Sequence, residues 1–390
     1  MSATGKRGPV AVLGGAGAMG RAVVYDLAHS GVAVRLLDSD PAAAARIARR
    51  YGAGRARAEM ADAADPASLR RGLAGARVVV ICAPYRLNLA VMEAALETRC
   101  HYLDLGGLFH TTRRQLRLHL AFRRRRLLAV LGMGSAPGIT NVLAGAAAAR
   151  LRRVESLHVY NGGADFTRYR APVAFTFSPA TVLDELTQPA MVFAGGRFRT
   201  APARSGAEEF PFEAGVQKVQ LSLHSEVATL PLSLRAKGLR ECSFKIAYDP
   251  ELVQRLKLLI DLGLTDPHPG PRGVSPRDVL LDCFRRLPRP PELIDDRDFL
   301  VVVARGRDRR GPLTVRYDLT AHPQRRPSLS AVACDTGFAP AIVARMILEG
   351  RIGRRGVFPP ERCVPVRPFL AELARRGLGA RLTLTRPDLG

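Results

Sequence analysis

The chain has 390 residues, 47% of them hydrophobic, and this length exceeds what one compact core usually organises, so we expect two domains. The formal net charge of +24 excludes an acidic protein and raises the question of nucleic-acid binding. Only five of the 59 basic residues are lysines, and the arginines are scattered over predicted helices instead of forming one stripe. This pattern favours a generally arginine-rich protein over one with a nucleic-acid partner.

The cysteines and the apolar runs indicate a protein of the reducing cytoplasm. Six cysteines stand far apart without a C-x-x-C pair, which predicts buried thiols and neither disulfides nor a metal site. The first residues, MSATGKRG, lack the apolar segment of a signal peptide. The uncharged run 127–149 is long enough to cross a bilayer, but its central glycines and Pro137 favour a strand, a loop and a helix. We therefore expect no membrane association.

The first part of the chain alternates strand-like runs with helical periodicity, which is typical of a parallel sheet covered on both faces. The predicted strands are 9–14, 32–37, 56–60, 77–82, 101–105 and 127–131, and the predicted helices are 18–29, 41–51, 66–74, 88–98 and 110–125. Asp40-Pro41 and Asp65-Pro66 each predict an N-cap followed by proline in the first helical turn. This order predicts an α/β, Rossmann-type dinucleotide-binding domain that ends near residue 135.

Longer strand-like runs and fewer crossover helices follow residue 150. The predicted strands are 156–163, 216–223 and 242–249, and 299–320 reads as a hairpin with its turn at 307–311. A helix is predicted from about Pro340 to Glu349. These patterns indicate a second, α+β domain built on a mostly antiparallel or mixed sheet.

The stretch GGAGAMG places three glycines in a G-x-G-x-x-G pattern between the first strand and the first helix. Gly15 is expected to make the tight turn, Gly17 to let the backbone approach a diphosphate, and Gly20 to let helix and strand pack closely. The amides of Ala18 and Met19 at the helix start would then hold the anion. The alternative is an ordinary turn in a glycine-rich chain, and the strand–turn–helix context favours the cofactor site.

Asp38 ends the second strand, 18 residues after Gly20. A carboxylate there accepts hydrogen bonds from ribose hydroxyls and repels a 2′-phosphate, so the sequence predicts NAD as cofactor. Arg35 and Arg46 leave NADP open, because either could reach a 2′-phosphate.

The carboxyl ends of three later strands supply further candidates, since ligands of open parallel sheets bind at that edge. Cofactor contacts are predicted for Ala83, Pro84 and Asn88 after the fourth strand and for Pro137 and Gly138 after the sixth, and substrate contacts for Tyr85 and Arg86. Asp104, at the end of the fifth strand, is expected beside the same crevice.

The chain resembles the saccharopine dehydrogenase family over nearly its whole length, and within it the lysine 6-dehydrogenase type. The resemblance depends on VAVLGGAGAMG, LLDSDP, HYLDLGG, GMGSAPGITNVLAG, FSPATVLDELTQPA, SPRDVLLDC and GRIGRRGVFPPERCVP, of which the last three are the most specific. It implies a Rossmann domain (1–135), a substrate domain that forms a homodimer (136–335), and a C-terminal segment that returns to the first domain (336–390). It also implies nucleotide-dependent oxidation of an amino acid at an amine-bearing carbon, for L-lysine at its 6-amino group.

Such chemistry needs a proton acceptor in the crevice and a cation for the substrate carboxylate. Asp104 is the first candidate acceptor, with capping of the next turn as the alternative, and the pair His224 and Glu226 is the second, with a surface loop as the alternative. Arg168 and Arg170, together with Arg86, are candidates for the carboxylate because a guanidinium binds it in a bidentate manner.

Two other functions stay open at this point. The same imine chemistry run backwards would be a reductive condensation of the saccharopine or carboxynorspermidine type. A nucleotide-sensing or nucleic-acid-binding protein would use the Rossmann domain without turnover.

Overall fold

A computed structural model describes residues 8–270 and 273–387. The expectation about the amino-terminal leader falls mostly on residues 1–7, which lie outside the described part. The first domain contains, in chain order, β1 (Val10–Leu13), α1 (Ala18–His29), β2 (Val34–Asp38), α2 (Pro41–Tyr51), β3 (Ala56–Met60), α3 (Pro66–Leu73), β4 (Val78–Ile81), α4 (Asn88–Glu97), β5 (His101–Asp104), α5 (Leu108–Leu116), α6 (His119–Arg124) and β6 (Leu128–Val130).

The remaining elements belong mainly to the second domain. They are α7 (Ile139–Ala149), β7 (Arg153–Asp165), α8 (Pro179–Thr187), β8 (Ala190–Ala194), β9 (Arg197–Ala201), β10 (Glu208–Phe212), β11 (Gly215–Leu221), α9 (Glu226–Leu234), β12 (Glu241–Ile246), α10 (Pro250–Asp261), α11 (Pro276–Arg285), β13 (Asp296–Asp308), β14 (Gly311–Ala321), α12 (Ala331–Leu348), β15 (Gly356–Phe358), α13 (Pro360–Cys363), α14 (Val366–Ala374) and β16 (Ala380–Thr385).

The first sheet is parallel, with strand order β15-β6-β5-β4-β1-β2-β3. The order reverses between β1 and β4, and ligands of open parallel sheets bind at such a point. Asp40 and Asp65 cap α2 and α3 through hydrogen bonds from Ala43 N (2.9 Å) and Ala67 N (2.9 Å), as the sequence predicts. The α/β fold class is therefore confirmed for this half.

The second sheet is mixed, as predicted. Its order is β10-β11-β12-β7-β13-β14-β16, and β8 and β9 branch from β12. β12 and β7 run parallel, whereas β13 runs antiparallel to both of its neighbours, β7 and β14. The hairpin turn lies at 309–310 between β13 and β14, within the predicted 307–311.

The C-terminal segment contributes to both sheets. β15 extends the first sheet beside β6, and β16 pairs with β14 in the second. A buried ion pair attaches this segment to α1, because the Arg376 guanidinium donates to Asp26 Oδ2 at 3.0 Å. Arg376 also donates to Glu372 at 2.8 Å. The segment thus contacts the first domain, while its end returns to the second.

Two helices depart from the sequence prediction. The region 110–125 forms α5 and α6 with a break at 117–118 instead of one helix. α12 begins at Ala331, nine residues before the predicted start at Pro340, because the Ser330 hydroxyl caps it by accepting from Ala333 N at 3.1 Å. Pro340 lies inside this helix.

α12 packs directly against α1 in the core shared by both domains. A Cβ on Gly337 would lie 2.6 Å from the Ala22 Cβ, so glycine allows the two helices to approach this closely. Among the described helices, α12 is the one whose length and hydropathy would suit a membrane, but 78% of that segment is buried, as in a core helix. The run 127–149 forms β6, a loop and α7, in agreement with the prediction.

Candidate active site

The loop between β1 and α1 forms a cradle for a diphosphate. α1 begins after Gly17 with no side chain capping it, so its first amides are available to an anion. A Cβ on Gly20 would lie 2.2 Å from Gly14 O, whereas one on Gly17 would meet only Gly14 O at 3.3 Å. The close packing at Gly20 and the open face at Gly17 fit the roles predicted for these two glycines.

The tight turn itself lies one residue earlier than predicted. Gly14 has the positive φ of 75°, and a Cβ on it would meet the Ala83 amide nitrogen at 2.9 Å. Gly15 instead packs against Leu36, whose Cγ would be 2.6 Å from an added Cβ. The backbone conformation therefore requires glycine at position 14, and the packing requires it at position 15.

A cleft of about 460 Å³ lies beside this loop and suits the adenosine half of a dinucleotide. Asp38, Asp40 and Asp62 line it, and no arginine, lysine or histidine does so among the residues that the structure describes. The Asp38 carboxylate is held by the amides of Ala16 (2.9 Å) and Asp40 (3.1 Å). A ribose diol fits this acidic lining better than a 2′-phosphate does.

A larger cleft of about 1480 Å³ continues from the first one, because Cys82, Ala83 and Pro84 line both. Its lining combines residues from the two domains. From the first domain come Ala18, Met19, Tyr85 and Gly106, and from the second come Pro137, Glu185, His224, Ser225 and Tyr248. A dinucleotide that lies across the Gly17 loop would therefore have its second half in this cleft.

His224 is the centre of a buried hydrogen-bonded network in the larger cleft. It lies just before α9, and its Nδ1 is hydrogen-bonded to Glu226 Oε2, while Thr140 Oγ1 donates to Glu226 Oε1 at 2.9 Å. The imidazole lies flat on Phe244, with ring centroids 3.7 Å apart. Both residues are buried and not on a surface loop; His224 lines the cleft, whereas Glu226 lies behind it and is outside the lining.

Glu185 on α8 approaches the imidazole from its other side. Its Oε1 lies 3.9 Å from His224 Nε2, and its Oε2 accepts a hydrogen bond from the Tyr248 hydroxyl. Burial alone would lower the pKa of His224, but Glu226 and Glu185 together raise it. Burial raises the pKa of Glu185, and it raises that of Tyr248 well above its usual value.

Sequence reasoning missed Glu185 and Tyr248. Glu185 lies in FSPATVLDELTQPA, a stretch that carries the family resemblance, and it belongs to the buried face of α8 with Val182 and Leu186. A glutamate on the apolar face of a short helix was the available signal. Tyr248 follows β12 in a different part of the chain, and no local pattern marks it.

Asp104 does not line the cleft. Its carboxyl group is fully buried and accepts from the amides of Gly132 (2.6 Å) and Gly106 (2.9 Å) and from Gln115 Nε2 (2.6 Å). Burial raises its pKa despite these donors. This geometry corresponds to the turn-holding alternative and joins the loops that follow β5 and β6.

The other predicted residues divide into those at the cleft and those away from it. Tyr85 lines it, donating to Asp184 Oδ2 at 2.9 Å, and Arg170 lines it from an exposed loop. Arg86 and Arg168 are exposed and are not part of the lining. Asn88 is buried behind the cleft, where its Nδ2 donates to Gly106 O at 3.1 Å.

The loop after β6 lies at the cleft through Pro137. Gly138 supports this loop from behind, with φ of 133° and its amide donating to Asn141 Oδ1 at 3.1 Å. A Cβ at Gly138 would lie 2.1 Å from Gly134 O, so this position requires glycine. No cluster of three or more potential metal ligands occurs in the described ranges.

Two family models match the chain, and together they cover most of it. The saccharopine dehydrogenase NADP binding domain matches residues 10–130, and the saccharopine dehydrogenase C-terminal domain matches residues 134–378. The chain belongs to the saccharopine dehydrogenase family. It is thus an NAD(P)-dependent oxidoreductase that acts on a CH–NH group.

Relatives within the family are distant in sequence. Carboxynorspermidine synthase of Vibrio cholerae is 24% identical over 326 residues, which are 77% of this chain and 76% of that protein. The enzyme of the same name from Vibrio alginolyticus is 23% identical over 323 residues, again 77% and 76%. The fold is that of the L-Glu-forming saccharopine dehydrogenase of Saccharomyces cerevisiae, with a TM-score of 0.74 and 17% identity over 97% of this chain and 100% of that one.

Proposed function

We propose that the protein catalyses the reversible, NAD-dependent reductive condensation of an amine with a carbonyl compound to give a secondary amine. One observation carries this proposal: His224, flanked by two buried carboxylates, lines the same cleft as the open end of α1 and the loop at Pro137. A group that transfers protons and a site for a hydride donor therefore share one enclosed space.

The residues present fit a dinucleotide. The amides of Ala18 and Met19 would bind the diphosphate, Asp38 the adenosine ribose, and Ala83 and Pro84 the segment between the two clefts. When bound, the dinucleotide supplies or accepts the hydride. The acidic lining at Asp38 supports NAD over NADP in this chain.

His224 would manage the protons of imine formation. The amine adds to the carbonyl carbon, and protonated His224 gives its proton to the hydroxyl of the adduct, which leaves as water and yields the iminium ion. Hydride addition at the iminium carbon then completes the secondary amine. In the reverse direction neutral His224 takes a proton from the water that attacks the iminium ion. Glu226 holds the imidazole through Nδ1, so Nε2 is the nitrogen that exchanges the proton.

The lining of the larger cleft supports an amine-bearing substrate. Although the chain has a net charge of +24, carboxyl groups outnumber the arginines and lysines in the lining of this cleft. The six carboxyl groups are Asp165, Glu185, Asp249, Glu251, Asp296 and Asp298, and the four cations are Arg170, Lys218, Arg255 and Arg297. The cleft's volume of about 1480 Å³ exceeds the roughly 300–1,000 Å³ of common ligand pockets, which leaves room for two reactants beside a nicotinamide. The two carboxynorspermidine synthases among the relatives are consistent with a condensation.

Oxidative deamination of L-lysine at its 6-amino group is the second candidate. It is favoured by Arg170, a cation at the rim of the cleft that could bind a carboxylate while the acidic residues bind an ammonium group.

The homodimer and the cytoplasmic location stay predictions of the sequence.

NADH absorbance measured with the purified protein separates the two candidates. Condensation predicts NADH consumption when a diamine and an aldehyde are supplied together and none with either alone. Deamination predicts NADH formation from L-lysine and NAD, with one ammonia released for each NADH. Failure with every amine despite tight dinucleotide binding would contradict both.

A further inference from the structure

Glu361 of the C-terminal segment lies between two helices that begin at the larger cleft. It belongs to the short helix α13, which follows β15 and packs against α7 and α9. Its Oε2 accepts from Asn141 Nδ2 on α7 at 2.9 Å, and its Oε1 accepts from Ser233 Oγ on α9 at 2.8 Å. One carboxyl group is therefore hydrogen-bonded to both helices.

The first turn of α7 carries two polar side chains with different partners. Thr140 Oγ1 donates to Glu226 at 2.9 Å. The neighbouring Asn141 is 1% exposed, and its Oδ1 accepts from Gly138 N at 3.1 Å. Glu361 therefore reaches the loop before α7 through Asn141, beside the contact that holds Glu226.

Gly138 ends a tight loop whose other residues face the cleft. Ser135, Ala136 and Pro137 all belong to the lining. Gly134 and Gly138 close the loop through a β-bridge. Because Gly138 follows Pro137 directly, release of its amide from Asn141 would let Pro137 shift within the cleft.

The orientation of the Asn141 amide is determined by its two partners. The Gly138 amide can only donate, so it requires the Asn141 oxygen, and a carboxylate can only accept, so it requires the Asn141 nitrogen. Without Glu361, Nδ2 would keep only Thr229 Oγ1, at 3.3 Å. A turned amide would direct N–H groups at the Gly138 N–H. Glu361 therefore selects the orientation in which Asn141 holds the loop.

The C-terminal segment reaches this position through the first sheet. β15 pairs with β6 in parallel, and Leu131 N donates to Phe358 O at 3.0 Å. The two strands therefore end at the same edge of the sheet, β6 before the loop at Pro137 and β15 before Glu361. The support of this loop thus comes from a part of the chain more than 200 residues away.

We propose that Glu361 is a positioning residue for hydride transfer: through Asn141 it holds the Pro137 loop against the nicotinamide half of the dinucleotide. This inference rests on the proposed function, in which the nicotinamide lies beside Pro137. Loss of Glu361 then affects the nicotinamide half and leaves the adenosine half unchanged, because the diphosphate loop and Asp38 belong to other elements.

Fluorescence titration with NADH and calorimetric titration with ADP-ribose, which lacks the nicotinamide, test this role without turnover. In E361L, which cannot accept either hydrogen bond, we expect the Kd for NADH to rise about tenfold and the Kd for ADP-ribose to stay within about twofold. In E361Q the side-chain oxygen can still accept from Asn141 and the side-chain nitrogen can donate to Ser233, so both affinities should match wild type.

Turnover gives a second readout. A displaced loop misaligns the reacting carbon, so kcat for the condensation should fall by about 10²-fold in E361L and stay within about threefold of wild type in E361Q. The matched control is R362L, because Arg362 is the exposed neighbour of Glu361 in α13.

Two further variants separate the contacts of Glu361. S233A removes only the contact with α9 and should bind NADH like wild type. N141L breaks the link from the α7 side, so it tests the role even if E361L cannot be purified. The double variant E361L/N141L should bind NADH no more weakly than N141L alone, because the two residues act in series.

Unchanged NADH affinity in E361L and N141L, or an equal loss of NADH and ADP-ribose affinity, overturns the positioning role. A selective loss of NADH affinity in these variants, while wild type reduces no pair of amine and carbonyl compound, would support the positioning role and contradict the proposed reaction instead.

Discussion

His224 Nδ1 is hydrogen-bonded to Glu226 Oε2; His224 lines the cleft, and Glu226 is fully buried behind it. The other oxygen of Glu226 is held by Thr140, and the imidazole ring is stacked on Phe244. The network therefore fixes both the position of the ring and the nitrogen that is free to exchange a proton. This relationship is the physical basis of the predictions on turnover.

Replacement of His224 by glutamine should lower kcat by about 10²- to 10⁴-fold, the usual contribution of a general acid or base. The affinity for NAD should stay unchanged, because the proposed diphosphate contacts are backbone amides at Ala18 and Met19, which this substitution leaves in place. Steady-state kinetics and a fluorescence titration of NADH check the two parts. The control is H268Q, since the His268 side chain is 87% exposed. A kcat within about threefold of wild type would remove His224 from the reaction.

Glu226→Gln should shift the pH profile of the reductive reaction toward lower pH. Burial lowers the pKa of His224, and Glu226 is the largest of the effects that raise it again. Loss of this carboxylate therefore lowers that pKa, and the acid form of His224 is lost at a lower pH. The alkaline limb of kcat against pH should move to the acid side. E97Q, at an exposed carboxylate, should leave the limb in place, and an unmoved limb in E226Q would show that another group titrates.

Asp38→Asn should reduce the preference for NAD over NADP by roughly tenfold, measured as the ratio of kcat/KM values. Asparagine keeps an oxygen that can accept from the Ala16 amide but removes the charge that repels a 2′-phosphate. The same E97Q protein serves as control. A wild-type enzyme that already prefers NADP would contradict the assignment of Asp38.

Asp104→Asn should lower the free energy of unfolding by about 1–3 kcal/mol. The carboxylate now accepts from N–H donors, and the amide nitrogen of asparagine would point its own N–H groups at one of them. The carboxyl group accepts from two backbone amides and from Gln115, so neither oxygen tolerates replacement by an amide nitrogen. Urea denaturation measures this change, with the exposed D282N as control. Full stability combined with lost turnover would instead favour the direct catalytic role that the sequence suggested.

The sequence predicted the first domain well because its signals are local. Asp40 and Asp65 cap helices whose starts are marked by proline, and the apolar strands between them are short and continuous. The predicted start of α12 was wrong. Proline is typical of a helix start, but Pro340 lies inside a buried helix that is capped by Ser330. Packing against α1 outweighed the local preference of proline.

The site was predictable only where its members are close in sequence. His224 and Glu226 are two residues apart, so one motif contained both. Glu185 lies on α8 and Tyr248 follows β12, so these two side chains meet only in the folded protein. Contacts of this kind depend on tertiary structure, which a single sequence does not reveal by spacing.

The most direct test of the account follows a deuterium atom. The protein is incubated with NADH deuterated at the nicotinamide C4, on both faces, together with a diamine and an aldehyde, and the products are analysed by mass spectrometry. The account predicts a secondary amine with one deuterium on the carbon bonded to nitrogen, formed by wild type and strongly reduced in H224Q. Deuterated NADH that binds tightly but transfers no deuterium to the carbon bonded to nitrogen would contradict it.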